Sequence, residues 1–188
     1  MKRGALYWVL GLLGVFPSVG QAQLRLTQQE ALRLAFPEPA TVERRTAFLD
    51  ESDVSQASEL AGSGVEVDQR VVTYYVGSNG DGPLGVAYFD AHRVRTLPEV
   101  LMIVVTPDSK IERIEILKFL EPPDYIVPES WLDQFDSRAL TDELEVKGSI
   151  VNMTGATLTS RAVTSAARRV LALHQVIGPL ANSAGGSR

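Results

Sequence analysis

"VLMIVVTPDSKIERIEILKF", residues 100–119, decides the fold. Two apolar runs, 100–106 and 111–119, flank Pro107-Asp108-Ser109-Lys110, where proline's fixed φ suits a turn. In the second run Ile111, Ile114 and Ile116 interleave with Glu112 and Glu115, an imperfect period of two that predicts a strand with one solvated face. The stretch therefore reads as a β-hairpin. A second hairpin lies upstream, where RVVTYYV (70–76) and LGVAYFD (84–90) flank GSNGDGP, which holds the Asn-Gly and Asp-Gly steps of a tight connection.

Helical signals bracket these hairpins. In TQQEALRLAF (27–36) Thr27 and Glu30 have capping-box spacing, and Pro37 and Pro39 end the helix. Residues 50–68 are acidic and rich in Ser and Gly, which predicts a loop or a short helix ending near Gly62. After the second hairpin Pro122 and Pro123 exclude regular structure, and Pro128 can start a short helix carrying Trp131, Leu132 and Phe135 on one side. Residues 136–150 read as a polar connector with at most one short strand. From Ser160 to Val176, Val163, Ala166, Val170, Leu173 and Ile177 fall at alternating spacings of three and four, with Arg161, Arg168 and Arg169 off that stripe. Gly178-Pro179 stops the helix. The expected fold is one α+β domain with a mostly antiparallel sheet built from hairpins, an N-terminal helix and a C-terminal helix.

The ends bear on location. Lys2 and Arg3, the apolar run Gly4 to Phe16, and a small-residue exit with Gly20 and Ala22 have the layout of a secretory signal peptide over 1–22. As a helix that run reaches only about 20 Å, short of a hydrocarbon core of about 30 Å, so no direct membrane span is expected after cleavage. The remaining chain divides into 23–69, the N-terminal helix and acidic connector; 70–178, the hairpins and C-terminal helix; and 179–188, a flexible tail. Removing Lys2 and Arg3 takes the formal charge from −5 to −7, unsuited to nucleic acid or an anionic membrane surface. With no cysteine there can be no disulfide or iron–sulfur cluster, and His92 and His174 have no metal-ligand spacing. An exported redox protein of this composition needs an organic cofactor.

The stretch MTGATLTSRA, residues 153–162, carries the chemistry. Thr154-Gly155-Ala156-Thr157 reads as a tight turn leading to Thr159 or Ser160 as helix N-cap. The free amides and positive dipole end of the helix make an anion site suited to a phosphate monoester, to which the hydroxyls of Thr154, Thr157 and Thr159 and the charge of Arg161 could add. The same residues equally suit an ordinary cap that binds nothing. Arg93 and Arg95 could pair with a phosphate, but alternating arginines more often line a solvated strand face. His92 reads as structural or exposed, with no proton-transfer role; Tyr74, Tyr75, Tyr88 and Phe89 read as sheet residues, and no nucleophile–base pair is visible.

TGATLTSRAV resembles the flavinylation motif of the FMN-binding domain family, whose members include the flavin-carrying subunits of the Rnf complex and of the sodium-pumping NADH:quinone reductase and many exported single-domain proteins. The resemblance spans roughly residues 70–175. It implies FMN as the cofactor, bound by Thr154, Gly155, Ala156, Thr157, Leu158, Thr159 and Ser160. Glu121 in LEPPDY stands where the family has a Glu-Thr-Pro-Gly-like loop, and Trp131 where it has a hydrophobic helix. It further implies that the Thr157 hydroxyl is esterified to the FMN phosphate by a flavin transferase that uses FAD. The family motif begins with an aspartate that helps the transferase bind its target; this chain has Val151 there. The function expected is that of an exported flavoprotein, periplasmic or at the extracytoplasmic face, relaying electrons between redox partner proteins such as cytochromes or a membrane electron-transfer complex. It would be a carrier rather than an enzyme with its own small substrate. The alternative is an exported binding module in which the Thr-Gly-Ala-Thr turn is only a cap.

Overall fold

The computed structural model describes residues 23–181. The expected signal peptide and residues 182–188 of the expected tail lie outside the described residues. The chain runs β1 (Gln23–Leu24), α1 (Gln28–Ala35), β2 (Thr41–Phe48), α2 (Glu51–Ala61), β3 (Val71–Asn79), β4 (Gly82–Arg93), β5 (Pro98–Val105), β6 (Ile111–Phe119), α3 (Glu129–Leu132) and α4 (Thr157–Ile177), with short 3₁₀ turns at 123–125 and 133–135. The strands form one antiparallel sheet in the order β1-β6-β5-β4-β3-β2. This is the α+β arrangement expected.

Both hairpins form where the turn residues place them. Asn79 pairs with Gly82 across Gly80-Asp81, and the Asn79 side chain accepts from the Asp81 amide at 2.9 Å. In the β5–β6 pair the register slips twice: Val104 faces Arg113 while Val105 faces Ile111, and Val100 faces Lys118 while Leu101 faces Ile116. Glu112 and Leu117 are the extra residues of two bulges, which is why the alternation in 111–119 is imperfect. Across the bulges, residues three apart share a face: Ile111 with Ile114, and Ile116 with Phe119, while Leu117 packs on the other.

Both faces of the sheet are covered, so the central run 101–105 is buried throughout and shows no alternation. On one face Tyr74, Val76, Val86, Tyr88, Leu101 and Ile103 pack with Val163, Ala166, Ala167, Val170 and Leu171 of α4, and with Ala57 and Ala61 of α2. On the other, Ala31 and Phe36 at the end of α1 cover Ala87, Met102, Val104 and Leu117. The Phe36 ring lies so close to Gly77 that a Cβ there would fall inside it. Thr27 and Glu30 form the capping box expected of α1; in α2, Asp50 and Asp53 form another, and Gly62 ends the helix at φ 85°. Arg168 ties α2 to α4, its Nε donating to Ala61 O at 2.6 Å and its Nη1 to Thr141 O at 2.7 Å.

Strand β2 has no counterpart among the elements expected from sequence. It pairs with β3 along its whole length, from Thr41–Ser78 to Phe48–Val71, so the sheet begins well before residue 70. As an edge strand it is exposed along most of its length, and Glu43, Arg44 and Arg45 interrupt any apolar period. The connector 136–150 holds only a single bridge, Val146 to Ile150. Among the described residues no helix is long and apolar enough to cross a membrane.

Inside the α4 layer the Tyr88 hydroxyl and His174 Nδ1 share a hydrogen bond of 3.1 Å. Burial pushes the His174 imidazole down to about 4, and pushes the Tyr88 phenol well up. His174 is thus neutral in the fold, so its contribution to stability is complete above 6.5 and disappears as pH falls through about 4. Stability is expected to drop by about 3 kcal/mol across that window, since each pH unit within it is worth ~1.4 kcal/mol. The check is the urea midpoint at both ends of the window, with the drop much reduced in His174→Gln.

Candidate functional site

The backbone ahead of α4 is pinned on both sides. Trp131 Nε1 donates to Val151 O at 2.7 Å, and the Val151 amide donates to Gln134 Oε1 at 2.8 Å, which fastens the chain to the Pro128 segment. The Val151 side chain itself is 71% exposed. Gly155 takes φ 90°, a conformation that strains any residue with a Cβ, and Ala156 becomes the helix N-cap. Thr159 and Ser160, expected as caps, instead lie within the first turn with their hydroxyls turned inward. Thr159 Oγ1 donates to Tyr125 O at 2.5 Å; Ser160 Oγ accepts from the Met153 amide at 3.2 Å and donates to Ala156 O at 3.1 Å. These buried partners outcompete capping geometry and start the helix at Thr157.

Alanine has no side-chain oxygen, so the helix begins uncapped. The amides of Thr157, Leu158 and Thr159 have no hydrogen-bond partner among the described residues. The residues that carry them line a cavity of about 180 Å³, bounded by Gly155 to Thr159 on one side and by Val94, Arg95 and Tyr125 on the other. The Arg95 guanidinium sits 5.5 Å from the centre of the Tyr125 ring. Of the residues expected at the site, Thr154 is exposed and outside this cavity, and Ser160 is buried behind it.

Glu121 is also not at the cavity. Its Oε1 accepts from the amides of Arg95, Thr96 and Leu97 at 3.2, 2.7 and 2.8 Å, and these bonds hold its carboxyl below the usual range. It braces the loop that carries Arg95, so any influence on a ligand passes through that loop. Arg95 is exposed, as expected of these arginines, but it lies on the loop after β4 rather than on a strand face. It reaches the cavity because β4 ends at Arg93 and the chain then folds back under Glu121.

Val94 and Leu158 also border a larger cleft of about 550 Å³, lined beyond them by His92, Arg93, Arg161 and Arg169. At its base lies a buried ionic network. Asp90 accepts from Arg169 Nε and Nη2, both at 2.8 Å, and pairs with His92 Nδ1 at 2.8 Å; His92 Nε2 reaches Glu99 Oε2 at 2.9 Å. Burial alone would raise the Asp90 carboxyl, but His92 and Arg169 outweigh it and hold it at about 2. Burial alone would lower His92, but its two carboxylate partners outweigh it and raise it to about 9. Burial raises Glu99, against the pull of His92. His92 is therefore a clamped imidazolium, structural as expected but not exposed. Arg169, off the apolar stripe of α4, is nonetheless only 8% exposed. None of Tyr74, Tyr75, Tyr88 and Phe89 lines either space.

The donor set suits a phosphate ester attached to a flat ring system. The helix N-terminus and Arg95 bring positive potential to the small cavity, while Leu158 and Val94 border both it and a cleft of the size that holds small ligands. Among the described residues no group of His, Asp and Glu side chains is arranged to hold a metal ion. No curated protein matches the chain. A family model for the FMN-binding domain matches residues 98–172, from the start of β5 through the Thr-Gly-Ala-Thr turn into α4, and this match supports a flavoprotein with FMN as its cofactor.

Proposed function

We propose that the protein is an exported electron carrier that holds FMN as a phosphoester on Thr157 Oγ1 and relays electrons between redox proteins. The observation that carries this reading is the placement of the Thr157 hydroxyl at the first position of an uncapped helix, on the wall of the small cavity. When bound, FMN supplies one- and two-electron chemistry. The protein's own residues bind and orient. The amides of Thr157 to Thr159 and the Arg95 guanidinium neutralise the phosphate, and the positive end of the α4 dipole adds to them. Leu158 and Val94 offer apolar surface where the two spaces meet. Arg161, which lines the cleft, offers a further cation along it.

Export is supported by the layout of residues 1–22, and a net charge of −7 for the chain beyond them supports a basic redox partner such as a c-type cytochrome. The test is intact mass after co-expression with an FAD-dependent flavin transferase in a periplasm. A gain equal to FMN less water supports the carrier. A protein that turns yellow without that gain sinks the covalent part, and a chain retained in the cytoplasm sinks the export part.

Val151 bears on the modification rather than on the cofactor site. Its backbone is fixed by Trp131 and Gln134, and its exposed side chain is presented outward. Val151→Asp is therefore expected to raise the rate of flavinylation severalfold with a change in stability within about 0.5 kcal/mol, as for a typical surface substitution. Time courses of mass gain and thermal unfolding check both halves.

A further inference from the structure

Among the described residues Asn152 is the one side chain that touches the hydroxyl of the proposed attachment point. Its Nδ2 donates to Thr157 Oγ1 at 3.1 Å, and its Oδ1 is buried without a partner. The Thr157 hydroxyl proton points at Met153 O across 3.5 Å, the weak limit of a hydrogen bond. A carboxamide whose carbonyl oxygen is buried without a partner does little for the fold, since an apolar side chain of the same shape would leave nothing unpaired. What it does is fix one lone pair of the hydroxyl oxygen. Threonine is stiff about χ1, so that contact selects one rotamer, leaves the other lone pair free and leaves the proton loosely held.

We propose that Asn152 is a positioning residue for covalent attachment, holding Thr157 Oγ1 in the orientation from which it attacks phosphorus. The inference rests on the phosphoester reading given above. In the step concerned, Thr157 Oγ1 bonds to the FMN-side phosphorus of FAD as the bond from that phosphorus to the bridging oxygen breaks. AMP leaves with that oxygen and the bonding electron pair, the hydroxyl proton passes to the transferase and on to solvent, and nothing is oxidised or reduced. Asn152 keeps the nucleophile aimed as phosphorus is attacked. The sequence carries no signal for this role, because a side-chain amide five residues before a threonine has no periodic or motif meaning until the turn at Gly155 brings the two together.

The test uses the full chain, purified without flavin, with FAD and an FAD-dependent flavin transferase. Mass gain is followed in time at varied chain concentration, and thermal unfolding is measured in parallel. Asn152→Leu keeps the shape and removes the unpaired carbonyl; Asn152→Ala removes the side chain. Both are expected to lower kcat for attachment about 10- to 100-fold, the scale of a misplaced reacting group, with KM little changed. The Asn152→Leu midpoint is expected at or above the parent's. Parent-like kcat in either variant overturns the proposal. So does a kcat loss in Asn152→Leu accompanied by a lowered midpoint, which would make the residue structural, or a loss confined to KM. A parent chain that never gains mass overturns the phosphoester reading and this inference with it, whereas a modified parent with unaffected variants overturns this inference alone.

Discussion

Thr157→Ala is expected to abolish covalent attachment of FMN completely while leaving the fold intact. Alanine has no oxygen to esterify, and the side-chain bonds lost are the contact with Asn152 at 3.1 Å and the weak one to Met153 O at 3.5 Å. As the first residue of α4, position 157 asks nothing of its side chain that alanine cannot meet. Thr157→Ser keeps the nucleophile without the β-branch that stiffens it, so it is expected to be modified more slowly and to the same final extent. The readout is flavin fluorescence that survives denaturing electrophoresis, together with intact mass. Persistence of the full mass gain in Thr157→Ala would move the attachment to another hydroxyl. Thr159 is a poor candidate, because its side chain is buried and bonded to Tyr125 O.

Asp90→Ala carries the largest expected cost in stability, about 3–5 kcal/mol, the cost of leaving a buried charge without its counterion. Asp90 takes both hydrogen bonds of the Arg169 fork and one from His92, and Asp90 and Arg169 are each 8% exposed. Without it, a guanidinium and an imidazolium face each other across the space it occupied. For a chain of this length the loss corresponds to a fall in Tm of roughly 10 °C. Asp90→Leu combined with Arg169→Met removes both charges and is expected to recover most of the loss, which distinguishes an unpaired charge from a packing defect. The pH dependence has two signs. The Asp90 contribution is complete above 3.8 and is lost as pH falls through about 2. The His92 contribution is complete below 6.5 and is lost as pH rises through about 9. A loss below about 1 kcal/mol in Asp90→Ala would mean that solvent reaches the network and screens it.

Much of the fold is legible in the sequence wherever local chemistry decides it. Asn79 to Gly82 and Pro107 to Lys110 carry their turns in their own residues, and Thr27 and Glu30 cap α1 without help from the rest of the chain. β2 is not legible in this way. Its place is set by the edge it covers on β3, and a strand with Glu43, Arg44 and Arg45 in a row shows no alternation. The site divides along the same line. Gly155, Ala156, Thr157, Leu158 and Thr159 lie together because they are contiguous, so a motif finds them. Arg95, Tyr125 and Asn152 arrive by way of the Glu121 brace, the Pro-rich segment and the turn at Gly155. The helix starts at Thr157, ahead of the expected caps, because buried partners for the Thr159 and Ser160 hydroxyls exist only in the folded molecule.

The order of strands in the sheet also fixes the order in which the molecule can be assembled. From β2 to β6 each strand lies beside its neighbour in sequence, so most sheet contacts close short loops and form early and fast. The contacts of α4 with β4 and β5 are different. They join segments far apart in the chain, and they can form only after the hairpins present a surface to dock on. Until then one whole apolar face of the sheet is bare. Docking of α4 is accordingly expected to govern the folding time, and with it the moment at which the Thr157 turn, the Arg95 loop and the cleft between them first come together. An enzyme that recognises this arrangement would therefore act on the folded protein, and the presence of the modification would report that folding is complete.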